Sequence, residues 1–284
     1  MTGASDPFPD WDWQDPGRLE GTMETFTAKL AEAEKLEQVA AELPRTRAGL
    51  AELGVTGIEF AAFTTEHPQG LGTDLVAMRG PEDDDGRRIV TEPGRVYRVD
   101  GRCLFTQLDI TEPLPFEDGS IDWVYAEHLI EHVPLLDAIN WLAEVRRILT
   151  TGGLLRITTP DLRTYAAGYL AEDEKFFARH RRRLSVRGVG PPMPDRRAFM
   201  VNQIFYLYGH RWIYDHDELR YALTQAGYDP EGVTAREFRD GHRQDVADLD
   251  TVYRRDETIY MEAMIDGQTQ QVVHGSGAAT SHLG

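Results

Sequence analysis

The chain of 284 residues holds a single cysteine, Cys103. That excludes an intrachain disulfide and a multi-cysteine zinc site. No apolar run approaches the ~20 residues that a bilayer-spanning helix needs. The opening MTGASDPFPDWDWQDPG has neither the basic start nor the apolar stretch of a secretory leader. A soluble, cytoplasmic protein with no membrane partner is the expectation. Basic residues are also scarce, 30 against 48 acidic ones, for a net charge of −18. Such a surface repels phosphate backbones and argues against nucleic acid as a general partner. Apolar material is not scarce: 41% of the residues are hydrophobic and spread along the chain, enough for a sizeable core.

Residues 1–16 are rich in Asp, Pro and Trp and read as an extended arm. Met23, Phe26, Leu30, Ala33, Leu36, Val39 and Leu43 recur at steps of three and four, which predicts an amphipathic helix over 19–43. Pro44 ends it, and a short second helix follows to Leu53, with Gly54 as its C-terminal cap. From residue 56 the period changes. GIEFAAF (57–63), IDWVYA (121–126) and LLRITT (154–159) read as buried strands, and RGPEDDDGRR (79–88) as a polar loop. Asp100–Gly101, between RVYRV and RCLFTQLDI, is a two-residue hairpin signal. Leu135, Ala138, Ile139, Leu142, Val145, Ile148 and Leu149 mark a helix between two strands, a parallel crossover unit. A helix over 217–226 and strands over 232–238 and 258–265 complete the pattern.

Four groups of residues suggest chemistry. Acids at strand ends, Asp74 and Asp109, can accept hydrogen bonds from ribose hydroxyls or an adenine amine, or simply cap turns. The string His128-Leu129-Ile130-Glu131-His132 matches the inverted zinc-protease pattern. It directly follows a strand and meets Pro134, so a helical metal face is not expected. His128 and His210 are candidate general bases, the imidazole pKa lying near ~6.5. Tyr206, Tyr208 and Trp212 can wall a substrate, and Asp215 caps the next helix. Seven arginines between Arg179 and Arg197 form either a solvated face or a basic lip for an anionic substrate.

The segment DITEPLPFEDGSIDWVYAEHLIEHVPLLDAINWLAEVRRILTTGGLLRITTPDL, residues 109–162, resembles the class I S-adenosylmethionine-dependent methyltransferases. The closest likeness is to their small-molecule, methyltransferase type 11-like branch. The resemblance implies an α/β fold: a Rossmann-like, seven-stranded sheet flanked by helices. Residues 1–54 would be an N-terminal helical extension and 55–266 the methyltransferase domain. Residues 161–216 would be a helical lid inserted after the fifth strand, and 267–284 a flexible tail. It implies S-adenosylmethionine as cofactor, held by Ala61, Ala62 and Phe63 after the first strand, Asp74 and Leu75 after the second, Asp109 and Ile110, then Ala126 and Glu127. His128 and His210 would be catalytic, and Trp212, Tyr214 and Arg182 would meet the substrate; no metal is expected. The implied reaction is methyl transfer to an oxygen or nitrogen of a small molecule such as a secondary metabolite, by an enzyme for which a homodimer is one expected assembly.

One feature departs from the family. Glu59-Phe60-Ala61-Ala62-Phe63-Thr64 has no glycine where a Gly-rich turn normally follows the first strand. Because alanine disfavours positive φ, a less tight turn is expected there. The departure keeps open a non-methylating enzyme of the same fold, such as a cyclase, and a non-catalytic binding subunit.

Overall fold

The computed structural model describes residues 32–171, 175–187, 194–206 and 208–266. Its strands are β1 (Leu36–Ala40), β2 (Gly57–Phe60), β3 (Gly70–Asp74), β4 (Arg79–Glu82), β5 (Arg88–Val90), β6 (Val96–Val99), β7 (Cys103–Gln107), β8 (Ile121–Glu127), β9 (Leu149–Pro160), β10 (Val233–Arg236) and β11 (Thr258–Met264). Its helices are α1 (Arg47–Glu52), α2 (Leu135–Ile148), α3 (Leu162–Leu170), α4 (Lys175–Arg187), α5 (Arg197–Tyr206), α6 (His216–Gln225) and α7 (Gln244–Ala247).

Nine strands form one sheet in the order β1-β6-β7-β3-β2-β8-β9-β11-β10. β7, β3, β2, β8 and β9 run parallel, while β11 is antiparallel to β9 and β10 to β11. These seven are the sheet the resemblance implied, and β6 and β1 extend it by antiparallel pairing. From β2 the chain moves outward to β3 and β7, then returns to place β8 on the other side of β2. The order therefore reverses between β2 and β8, and open α/β sheets hold ligands beyond the strand ends at such a point.

One face of the sheet is apolar. Ile58, Phe60, Leu71, Val124, Leu155, Ile157 and Met261 bury there in a single core with Trp141, Leu142 and Val145 of α2 and Leu219 and Leu223 of α6. The other face is polar at its centre. Glu59, Tyr125, Arg156 and Glu262 occupy successive registered positions. Arg156 is fully buried and bonds Asp250 and Glu262, and it also donates to the carbonyls of Glu237 and Asp240. The connector between β10 and β11 is thereby clamped over this face.

Three expectations need correction. Residues 36–40 are strand, and 32–35 and 41–43 beside them are not helical either; the first part of the expected helix, 19–31, lies outside the described residues, as do the arm 1–16 and the tail 267–284. The strand wins because Leu36–Ala40 satisfies the open edge of β6, and tertiary pairing overrides weak helix propensity. The polar loop at 79–88 is a hairpin, β4 with β5, whose turn is capped by Asp83 accepting from the Asp85 and Arg87 N–H groups at 3.0 and 2.8 Å. Ala61 does adopt positive φ, 55°, so the turn after β2 is tight without glycine. The hairpin at Asp100–Gly101 forms as expected, with φ of 51° and 69°, and Asp215 caps α6 by accepting from Glu218 N–H at 2.9 Å.

Candidate functional site

β2 and β3 are joined by nine residues, 61–69, with no helix between them. Thr65 and His67 of this crossover are buried against the polar face of the sheet. His67 lies on the Trp123 ring at 4.4 Å and bonds Asp245 at 3.1 Å. The loop hugs the sheet closely: Ala62 N–H donates to the Thr73 carbonyl at 2.9 Å. A Cβ on Gly72 would meet the Ala62 carbonyl oxygen at 2.5 Å, so only glycine fits beneath the loop. Phe63 stacks on Phe105, ring centroids 6.1 Å apart.

The carboxyl ends of β2, β3, β7 and β8 bring most of the expected cofactor residues to one rim. Asp74 closes β3, and its Oδ1 accepts from Val76 N–H at 2.9 Å; burial raises its pKa. Leu75 beside it is exposed, its carbonyl accepting from the Gln107 amide at 2.9 Å. Asp109 is exposed beyond β7 and holds the Thr111 N–H and hydroxyl at 2.9 and 2.7 Å; Ile110 follows, half-buried against the core. Glu127 ends β8 at the point where the sheet order reverses. It accepts from Tyr125 OH at 3.3 Å and from Thr251 N–H at 3.0 Å, with a further bond from the Thr251 hydroxyl. Ala126 is fully buried in the apolar core, so only its backbone faces the rim.

Behind the rim stands a buried, acid-rich group the sequence reading did not single out. Glu59 has an oxygen without a partner, and burial pushes its pKa up to about 7. Strict alternation in Gly-Ile-Glu-Phe carries the signal, since it puts Glu59 on the face opposite Ile58 and Phe60. Arg254 lies amid Glu127 and Glu257, whose charges favour its cationic form.

The histidines occupy the adjoining corner. His128 sits at φ 51° directly after β8. Its Nε2 engages the Thr258 hydroxyl at 2.8 Å and its Nδ1 lies 3.4 Å from Glu131 Oε1. Burial lowers its pKa well below the ordinary histidine value. The segment 208–214 returns from the helical insertion onto this corner. Arg211 and Trp212 N–H groups donate to the Glu131 carbonyl at 2.7 and 3.2 Å, and Tyr214 bridges Asp161 beside the end of β9. His210 Nδ1 bonds the Ile204 carbonyl, and desolvation, aided by His132, lowers its pKa to about 3. His132 shows a ring edge to solvent, yet its surroundings are dense enough that desolvation lowers its pKa to about 4.

The expected substrate residues do not converge on one cavity. Trp212 is 41% exposed and its indole N–H donates to Glu218 at 2.9 Å. Tyr214 is fully buried in the main core. Arg182 instead lines a separate groove of about 430 Å³ with Arg179, Arg183, Val186, Val252 and Tyr253. Arg179 and Arg183 there already pair with Asp256, at 3.4 and 2.9 Å.

Comparison with known proteins bears on this cleft. The family described as a methyltransferase domain matches residues 84–157, the stretch that supplies β6, β7, β8, α2 and most of β9. A probable S-adenosylmethionine-dependent methyltransferase of Mycolicibacterium smegmatis is 31% identical over 107 residues, 35% of this chain and 38% of that protein. An uncharacterized 37.1 kDa protein in transposon TN4556 of Streptomyces fradiae is 31% identical over 119 residues, 39% and 34% of the two chains. The chain thus spans about a third of the length of the curated relatives it matches. Among solved structures, an S-adenosylmethionine-dependent methyltransferase from Mesorhizobium loti aligns over 87% of this chain and 99% of its own, at 15% identity and a TM-score of 0.40. The matched segment supplies part of the carboxyl-end rim of the sheet, and over that stretch the chain is similar to S-adenosylmethionine-dependent methyltransferases.

Proposed function

We propose that the protein transfers a methyl group from S-adenosylmethionine to an oxygen or nitrogen of a small molecule. The observation that carries this reading is the convergence of Asp74, Asp109 and Glu127 on the strand ends that flank the reversal of sheet order. The residues present fit an adenosine. A carboxylate offers roughly four acceptor positions, so Asp74 keeps capacity for a ribose diol beyond its bond to Val76. Asp109 and Ile110 offer an acid and an apolar side chain side by side for an adenine. The methionine half finds no helix start after β2; instead, the left-handed Ala61 supplies the tight backbone turn.

When bound, S-adenosylmethionine supplies an electrophilic methyl carbon on a sulfonium. The chain's own part is alignment and exclusion of water. Holding reactants in line is worth roughly 7–11 kcal/mol of barrier. His128 and His210 stay neutral at physiological pH, as a proton acceptor must. At such low pKa values they are weak bases, so general-base help falls short of the ~10²–10⁴-fold of a well-matched base. An acceptor that is already nucleophilic near neutrality suits this site.

A non-methylating enzyme of the same fold is the second reading, favoured by the helix-free crossover at 61–69. Calorimetric titration with S-adenosylmethionine and S-adenosylhomocysteine tests the first. Saturable binding of both, with S-adenosylhomocysteine released during turnover, is expected. Absence of binding would overturn both readings, and turnover without S-adenosylhomocysteine would favour the second.

A further inference from the structure

The H-x-x-E-H string folds in a way its spacing does not announce. Left-handed backbone at His128 turns the chain sharply out of β8, and Ile130–His132 form a single tight turn. His128 and His132 are thereby parted: the first faces Thr258, the second faces the returning segment 208–212. Docking of that segment on the Glu131 carbonyl brings His210 against His132, ring centroids 4.7 Å apart and nearly perpendicular at 79°. One donor atom from each of Glu131, His132 and His210 then lies within 4.8 Å of the others.

Two further observations suit a cation here. Glu131 is fully buried; its Oε2 accepts from the Thr159 hydroxyl at 3.0 Å, while its Oε1 makes no hydrogen bond and has the His128 Nδ1 3.4 Å away. A buried carboxylate oxygen without a hydrogen bond is costly. His210, moreover, has one side committed to main chain, its Nδ1 bonding the Ile204 carbonyl. Such an outer contact fixes the ring and tautomer of a metal-binding histidine and leaves its other nitrogen free.

We propose that Glu131, His132 and His210 form a binding site for a divalent first-row transition-metal ion of the Zn²⁺ type. Two imidazoles and a carboxylate are the donor set such ions take, and three protein donors leave a fourth position for water or a substrate atom. Tetrahedral ligands at ~2.0–2.1 Å from a metal stand about 3.3 Å apart. Closing the trio from within 4.8 Å to that spacing takes side-chain rotation, and the exposure of His132 gives the ion a way in. A metal on His210 would take the nitrogen left free for proton transfer and leave His128 as the base of the proposed function; the test reads only metal binding by the chain.

The test uses tag-free, chelator-stripped protein, with Zn²⁺ titrated by calorimetry and Co²⁺ followed by visible absorption. One ion per chain is expected, with the intense visible bands of a low-symmetry Co²⁺ site. His132→Ala and His210→Ala should each weaken binding by more than the roughly 10–100-fold that outer contacts alone contribute. His242→Ala removes a histidine outside the trio, paired with Glu262, and should leave binding intact. Far-ultraviolet circular dichroism of the metal-free variants separates ligand loss from misfolding, and Zn²⁺ should raise the Tm of the wild-type protein alone in a concentration-dependent way. Lack of saturable binding by the wild-type protein would overturn the proposal. So would wild-type affinity in folded His132→Ala and His210→Ala.

Discussion

Replacing Arg156 by methionine tests how the polar face of the sheet is held. The guanidinium is fully buried, bonding Asp250 Oδ1 at 2.9 Å and Glu262 Oε1 at 3.0 Å. Methionine fills similar space but takes the buried cation away from Asp250 and leaves Glu262 with Arg236 and His242 alone. It also frees the carbonyls of Glu237 and Asp240. Removing one partner from a buried pair typically costs about 3–5 kcal/mol, and this is the expected loss. With m near ~2–3 kcal/mol/M, the urea midpoint should fall by roughly 1–2 M. The pH dependence gives a second check. Burial raises the Glu262 pKa, but bonds from His242 and the Arg156 charge outweigh it and hold the group below its ordinary value. A depressed folded pKa contributes stability above the unfolded carboxylate range and loses it as pH falls through the folded value. In Arg156→Met the carboxylates that lose the guanidinium are relieved by protonation, so the gap to wild type should narrow below about pH 4–5. A cost under ~1 kcal/mol at pH 7, or one that does not change with pH, would refute the reasoning.

Three other substitutions probe the rim and its loop. Asp74→Ala should weaken S-adenosylmethionine binding by about 10–100-fold, the worth of hydrogen bonds to a charged group; Arg182→Ala should change it little, and equal effects in calorimetry would show that the ribose site is misplaced. Gly72→Ala pushes a methyl against the Ala62 carbonyl and should cost about 1–3 kcal/mol in urea unfolding, a loss below ~0.5 kcal/mol contradicting the close approach. Glu59→Gln should stabilise the protein by at most about 3 kcal/mol above pH 7 and by little near pH 4.5. The folded pKa of Glu59, raised to about 7, makes its burial cost grow as pH rises from the unfolded carboxylate value. Parallel stability curves for variant and wild type would count against that burial.

Local chemistry in the sequence determined much of this protein. The Asp100–Gly101 hairpin, the Asp215 cap, the amphipathic α2 and the alternating or continuous apolar strands are each written in a few adjacent residues, because turn conformation and burial period are short-range properties. The acids at the strand ends were readable for the same reason: a strand's length fixes where its last side chain stands. Only tertiary structure decided the rest. Leu36–Ala40 became a strand because the edge of β6 demanded hydrogen bonds that a helical stripe could not supply. The segment 61–69 crosses without a helix, held to the sheet by the room that Gly72 leaves for Ala62. Nor could spacing along the chain place His210 beside His132 and Glu131. That meeting depends on backbone bonds between two distant segments, and such contacts exist only once the sheet has folded.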